Sequence, residues 1–125
     1  MRVLFLDDNL FRCFAARHTF VGHDLHIVHT AQDTIRLLGD SSGSFEFVTL
    51  DHDLNSEFFV DSSRQDCGME VVRWIVENKP SIGTINVHSW NHKAADEMVE
   101  SLHTSGCQVV RRLFGDKGFV DEGGL

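Results

Sequence analysis

Four times in succession an apolar, strand-like run is followed by a stretch of helical periodicity, and one more strand-like run closes the series. The runs fall at residues 2–6, 25–29, 45–49, 83–87 and from 107 towards 114. The first is a continuous apolar run of the kind that is covered on both faces, and the third alternates aromatic and β-branched residues. Such alternation of strand and helix predicts a parallel sheet with right-handed crossovers and helices on both faces, an α/β fold of three layers. For five strands the doubly wound order is 2-1-3-4-5. A length of 125 residues suits one such domain and not two. Its core is expected over about 1–114. The tail, 115–125, holds four glycines and too few apolar residues for a packing helix, so the fold is expected to lack its fifth helix.

The helical stretches carry their own punctuation. Asn9 is placed to cap a first helix whose Phe11, Phe14, Ala15 and His18 form a stripe that leaves Arg12 and Arg17 outside. Thr30 caps a second, with Ala31, Ile35 and Leu38 inward. Asp66 is placed to cap a third, with Met69, Val72, Ile75 and Val76 inward and Trp74 at the border, ending at Asn78-Lys79-Pro80. A fourth packs Ala94, Ala95, Met98, Val99 and Leu102 and closes at Ser105-Gly106.

Three strand-like runs end in ionisable or polar side chains: Asp7-Asp8, Asp51-His52-Asp53 and His88-Ser89-Trp90-Asn91. Carboxylates beside an imidazole cost several kcal/mol each to desolvate unless paired, metal-bound or facing water, so these ends read as chemistry delivered to a sheet edge. A hydrated turn would instead draw on Gly, Asn or Pro and has no use for His52. Strands one, three and four are neighbours in the expected order, and ligands of such sheets bind beyond the carboxyl ends where the winding reverses, so the three clusters should share one cleft. Residues 55–66 form the longest irregular stretch and read as a lid, with Phe58 and Phe59 either part of it or plugging the rim of the core; Arg64 is an anion contact by position.

A formal charge of -8 argues against broad duplex nucleic-acid binding, although a few local cations could hold a small anion. Three cysteines with no Cys-x-x-Cys pair suggest neither a disulfide framework nor a zinc knuckle and fit a reducing cytoplasm. No run approaches a bilayer span, so no membrane partner is expected. His23, His26 and His29, spaced by three along a strand, alternate in face and do not form one metal site.

The acidic pair after strand one, the aspartate after strand three and the hydroxyl residue after strand four resemble the flavodoxin/receiver-like domains of two-component response regulators. That resemblance implies metal carboxylates at Asp7 and Asp8, a phosphoacceptor position at Asp51 and a switch hydroxyl at Ser89. The chain departs from it where a lysine should close strand five, having only Arg111 and Arg112 there, and in the absent fifth helix. Leu50-Asp51-His52-Asp53-Leu54, Gly68 before a helix, and His88-Ser89-x-Asn91 with Met98 downstream are more similar to the predicted cyclic-phosphate-processing receiver domains of bacteria and their phages. The similarity spans residues 2 to about 102, and His92 stands where a proline is expected after Asn91.

A phosphoesterase opening a cyclic phosphate, on an RNA end or a small cyclic nucleotide, is the function this implies. His52 and His88 would share the proton work, with Asp51 and Asp53 beside them in the catalytic group. Asp7, Asp8 and Asp51 would hold Mg²⁺ or Mn²⁺, Zn²⁺ being open if imidazole takes part, while Ser89, Asn91, Trp90 and Arg64 would bind substrate. The alternative is a binding module that captures a nucleotide, or a partner protein, without chemistry. Loss of the fifth helix would leave apolar sheet beside the first helix, so a homodimer is expected, with Phe114 and Phe119 near the contact.

Overall fold

The computed structural model describes residues 1–40 and 43–120. Strands β1 (Arg2–Leu6), β2 (Asp24–Val28), β3 (Phe45–Leu50), β4 (Ile82–Val87) and β5 (Val109–Arg111) form one parallel sheet in the order β2-β1-β3-β4-β5. Between them run α1 (Leu10–Thr19), α2 (Ala31–Gly39), α3 (Gly68–Asn78) and α4 (His92–Thr104). After β5 comes a short antiparallel hairpin, β6 (Phe114–Gly115) and β7 (Gly118–Phe119). No helix among the described residues is long and apolar enough to cross a membrane.

Strand side chains alternate between two cores. Leu4, Leu6, Val48, Leu50, Ile85 and Val87 pack with α2, α3 and α4 into the larger one, where Val72, Ile75, Ala95, Met98 and Leu102 are buried as their spacing requires. On the opposite face Val3 and Phe5 meet Cys13, Ala15 and Ala16 of α1, together with Phe20 and Phe114. The side chains of Asn9, Thr30 and Asn91 accept from the amides of Arg12, Asp33 and Ala94, capping α1, α2 and α4.

Three local expectations need correction. In α1 the stripe lies elsewhere: Phe11 and Phe14 are exposed, and Cys13, Ala15 and Ala16 face inward. The reason is volume. The sheet and the hairpin already fill this layer with Phe5, Phe20, Phe47, Phe114 and Phe119, so only small residues of α1 fit against it. The N-cap of α3 is Cys67, with no side-chain cap bond, because the Asp66 carboxylate is taken by Arg64 and Asn55. The tail, in turn, supplies its own cover. Phe114 is fully buried, edge-on to Phe5 at 4.9 Å and to Phe119 at 5.0 Å, and Phe119 sits against Phe20 and Phe47. Gly118 holds φ +100 where an added Cβ would lie 2.9 Å from Thr19 Oγ1, so glycine permits both the turn and the close approach to α1. This hairpin stands where a fifth helix would lie; Phe114, foreseen near a contact between copies, is instead in the chain's own core, and half-buried Phe119 packs against it. Residues 121–125 of the tail lie outside the described residues.

Candidate functional site

The carboxyl ends of β1, β3 and β4 bring Asp7, Asp51 and His88 together, all three buried. Asp7 receives four donors: the Asn9 amide at 2.8 Å and Arg12 Nη2 at 3.1 Å on Oδ1, and Arg12 Nε at 2.7 Å and His88 Nε2 at 2.9 Å on Oδ2. Burial alone would raise its pKa; the hydrogen bonds and charges of His88 and Arg12 outweigh that and hold it at about 2. Arg12 lies in the first turn of α1, where side chains project back over the preceding residues, so its fork closes on Asp7 at the strand end.

Behind Asp7 runs a buried polar chain. His88 Nδ1 lies 2.7 Å from Thr49 Oγ1, which accepts from Asn86 Nδ2 at 3.0 Å. The Asp7 carboxylate can only accept, so the neutral imidazole carries its proton on Nε2 and its Nδ1 accepts from the Thr49 hydroxyl. Burial lowers the His88 pKa despite the Asp7 charge. The ring stacks on Phe5 at 4.8 Å with Phe114 at its edge. Asn86 is satisfied in turn by Arg112, accepting from its amide at 2.8 Å and donating to its carbonyl at 3.1 Å.

Asp51 is the opposite of Asp7. Its Oδ1 accepts the His52 amide at 2.9 Å, but its buried Oδ2 has no hydrogen-bond partner, and the nearest cation, Arg12 Nη2, is 3.5 Å away. Burial, then the Asp7 charge, push its pKa well above the carboxylate range. Gly68 fixes the backbone beneath it: the Gly68 amide donates to His52 O at 2.9 Å, and a Cβ there would fall 2.0 Å from Asp51 O. The glycine ahead of α3 is therefore a requirement of close packing.

Residues 55–66 are tied down by carboxylates foreseen as metal or catalytic groups. Asp53 accepts from the amides of Phe59 at 2.7 Å and Val60 at 3.1 Å, from Asn91 Nδ2 at 3.1 Å and from His52 Nδ1 at 2.8 Å. The Ser56 amide donates to Asp8. Asn55, Ser56 and Phe59 adopt positive φ values of 62°, 59° and 53°, a strained path held by those bonds. Val60 plugs the core; Phe58 and Phe59 are 86% and 83% exposed, so neither fills its rim. Arg64 is engaged within the loop by Glu57 at 2.7 Å and Asp66 at 2.6 Å, which raise its pKa.

Above the cluster opens a cleft of about 260 Å³, lined by Asp8, Arg12, Asp51, Asp53, Ser89 and Asn91 and walled by Phe58, Phe59 and Trp90. Of the foreseen residues, Asp51, Asp53, Asp8, Ser89, Asn91 and Trp90 reach this cleft. His52, His88, Asp7 and Arg64 do not line it. His52 is buried beneath the loop, its Nε2 3.1 Å from Ser62 Oγ. Burial would lower its pKa, but hydrogen bonds from its ring to Cys67 and Asp53 raise it, and the same contact with His52 depresses the Cys67 thiol against its own burial. Asn91 spends its amide on Asp53 and its carbonyl on the α4 cap. Ser89 Oγ accepts from the Asn91 amide.

Arg12, Thr49 and Asn86 are the site residues that sequence reasoning passed over. A signal existed for two of them. Thr49 and Asn86 are polar residues inside runs otherwise fit for burial on both faces, and Asn is depleted in strands.

Whether these groups suit a divalent cation turns on Asp51. One ligand atom each from Asp7, Asp51 and His88 lies within 4.8 Å of the others, and the partnerless Asp51 Oδ2 is the oxygen a cation would satisfy. Two carboxylates and one imidazole fit such an ion once His88 gives up the Nε2 proton it donates to Asp7, which frees that carboxylate oxygen as well. Asp8 is not in that cluster.

A doubly wound domain with acids at the ends of its first and third strands and a cleft above them has the fold of a signal receiver. The chain belongs to the cyclic-phosphate processing receiver domain family, whose model matches residues 2–104. In fold it is similar to the crystal structure of a signal receiver domain from Vibrio parahaemolyticus, with a TM-score of 0.58 over 92% of this chain and 80% of that one. At 20% identity that likeness is one of fold. A search of curated proteins returned no match.

Proposed function

We propose that this chain is a phosphoesterase that opens a cyclic phosphate in the cleft above β1, β3 and β4. The observation that carries this reading is Asp51: a buried carboxyl, one oxygen without a partner, lining a cleft beside the guanidinium of Arg12. In ring opening, water adds to phosphorus, one ester P–O bond breaks, and the leaving oxygen takes a proton, giving a phosphomonoester. Arg12 offers the positive field for the phosphate oxygens, and Ser89 lies where its hydroxyl can donate to them. Asp51 is the titratable group placed to move a proton or, ionised, to hold Mg²⁺ or Mn²⁺ with Asp7 and His88. A bound divalent cation would neutralise phosphate charge and lower the pKa of water. Neither imidazole lines the cleft: His52 is a positioning residue that orients Asp53, and His88 orients Asp7 when no ion is bound.

That last feature also favours the second reading, capture without chemistry, since both imidazoles are removed from the space a ligand would occupy. Incubation with cyclic and linear nucleotides and cyclic-phosphate RNA ends, with Mn²⁺ or chelator and chromatography of the products, separates the two. Chelator-sensitive cleavage supports the esterase. Ligand retained intact by the protein supports capture.

A further inference from the structure

A second cleft, of about 540 Å³, adjoins the first and shares Arg12 and Trp90 with it. Its other wall is the hairpin: Gly115, Asp116, Lys117, Gly118 and Phe119, with Val120 beyond. The hairpin lies outside the residues that the family model matches.

Trp90 divides the two clefts and is fixed there. Its Nε1–H donates to Phe114 O at 2.9 Å, and its ring runs along Gly115, where an added Cβ would come within 3.9 Å. Nearly half of the side chain remains exposed, which suits a stacking platform with one free face. The hairpin cleft carries two cations, Arg12 and Lys117, against one carboxylate, whereas the first cleft sets Arg12 against Asp8, Asp51, Asp53 and Glu57. Arg12 stands at the junction, Lys117 lies exposed in the hairpin turn with no ion pair among the described residues, and Arg112 sits over the Phe119 ring at 4.3 Å. Asp116 is the carboxylate on the same wall. A pinned indole between the Arg12 guanidinium and an exposed ammonium with no ion pair among the described residues matches a nucleotide with a phosphate on either side of its base.

We propose that this hairpin cleft is a subsite for a second phosphodiester, so that the ligand is a cyclic phosphate extended by at least one further nucleotide and not a cyclic mononucleotide. Lys117 meets the second phosphate and Trp90 stacks on the base between. The inference rests on the reading of the first cleft as a cyclic-phosphate site, and it selects among that site's ligands.

The test is calorimetric binding to the full chain, in a buffer with chelator so that no turnover intrudes, of three probes. These are a 2′,3′-cyclic mononucleotide, a dinucleotide ending in a 2′,3′-cyclic phosphate, and a cyclic dinucleotide. The dinucleotide end or the cyclic dinucleotide should bind on the order of tenfold tighter than the mononucleotide, with a steeper salt dependence; which one does identifies the source of the second phosphate. Lys117→Ala should bring the ratio of affinities towards one, and Lys117→Arg should keep it. Equal affinities for all three, or a ratio unmoved by Lys117→Ala, would overturn the subsite while leaving the cyclic-phosphate reading intact. Binding of none of them, either in chelator or with Mn²⁺ present, would overturn both.

Discussion

Replacing Asp51 with Asn should make the metal-free protein more stable, an uncommon outcome for a change at the centre of a site. In the wild type Oδ2 is buried without a partner, a state that costs about 1–3 kcal/mol, and the neighbouring Asp7 charge adds repulsion that Arg12 at 3.5 Å only partly offsets. Asparagine keeps the oxygen that accepts the His52 amide and replaces the charged oxygen with a donor facing Asp7. The expected gain at pH 7 is about 1–3 kcal/mol, or roughly 3–5 °C in Tm per kcal/mol for a domain of this size. The sign with pH follows from the raised carboxyl. Below the unfolded pKa near 3.8 both states hold the proton and the variant has no electrostatic advantage. As pH rises past that value the unfolded chain ionises while the folded one resists, so the advantage grows until the folded pKa is passed. Urea melts in chelator from pH 4 to 8 measure it, and added Mn²⁺ should narrow the gap by stabilising the wild type alone. A variant less stable than wild type in chelator at pH 7 would refute the reasoning that Asp51 is a buried carboxyl only partly compensated by its neighbours.

Asp7 titrates with the opposite sign: held at about 2, it contributes stability above pH 4 that is lost as pH falls towards 2, and Arg12→Ala should shift the acid-unfolding midpoint upward. Arg12→Lys should restore that midpoint poorly, because a point charge cannot reproduce the two-pronged bond to Asp7. Thr49→Val, nearly isosteric, strands His88 Nδ1 and weakens the tie to Asn86, with an expected loss of about 1–3 kcal/mol in a urea melt. Asp53→Asn should leave global stability nearly intact yet loosen residues 55–60, read as faster chymotryptic cutting after Phe58 or Phe59.

The architecture was legible because its signals are periodic. Alternating strand and helix patterns carry the sheet order, and the polar ends of β1, β3 and β4 carry the position of the cleft. Side-chain direction was less legible. Phe11 and Phe14 have the spacing of a buried stripe, and only the aromatic filling from Phe5, Phe20 and the hairpin turns α1 so that Arg12 faces Asp7. His52 and His88 occupy the right strand ends, yet a strand end leaves open whether a side chain faces the cleft or the layer behind it. Phe5 and Thr49 draw His88 backward, and Asp53 and the loop draw His52 under. The hairpin was hidden by composition, since four glycines in the tail read as the absence of structure while two of them, Gly115 and Gly118, build it.

The most direct test of the account is a ³¹P NMR time course of a 2′,3′-cyclic phosphate substrate with the wild type and Mn²⁺, alongside Asp51→Ala and a chelated control. The strained cyclic signal should be replaced by that of a phosphomonoester, with the variant and the chelated sample slowed by at least tenfold. A cyclic signal that persists in every sample while the ligand is bound by the protein would contradict it.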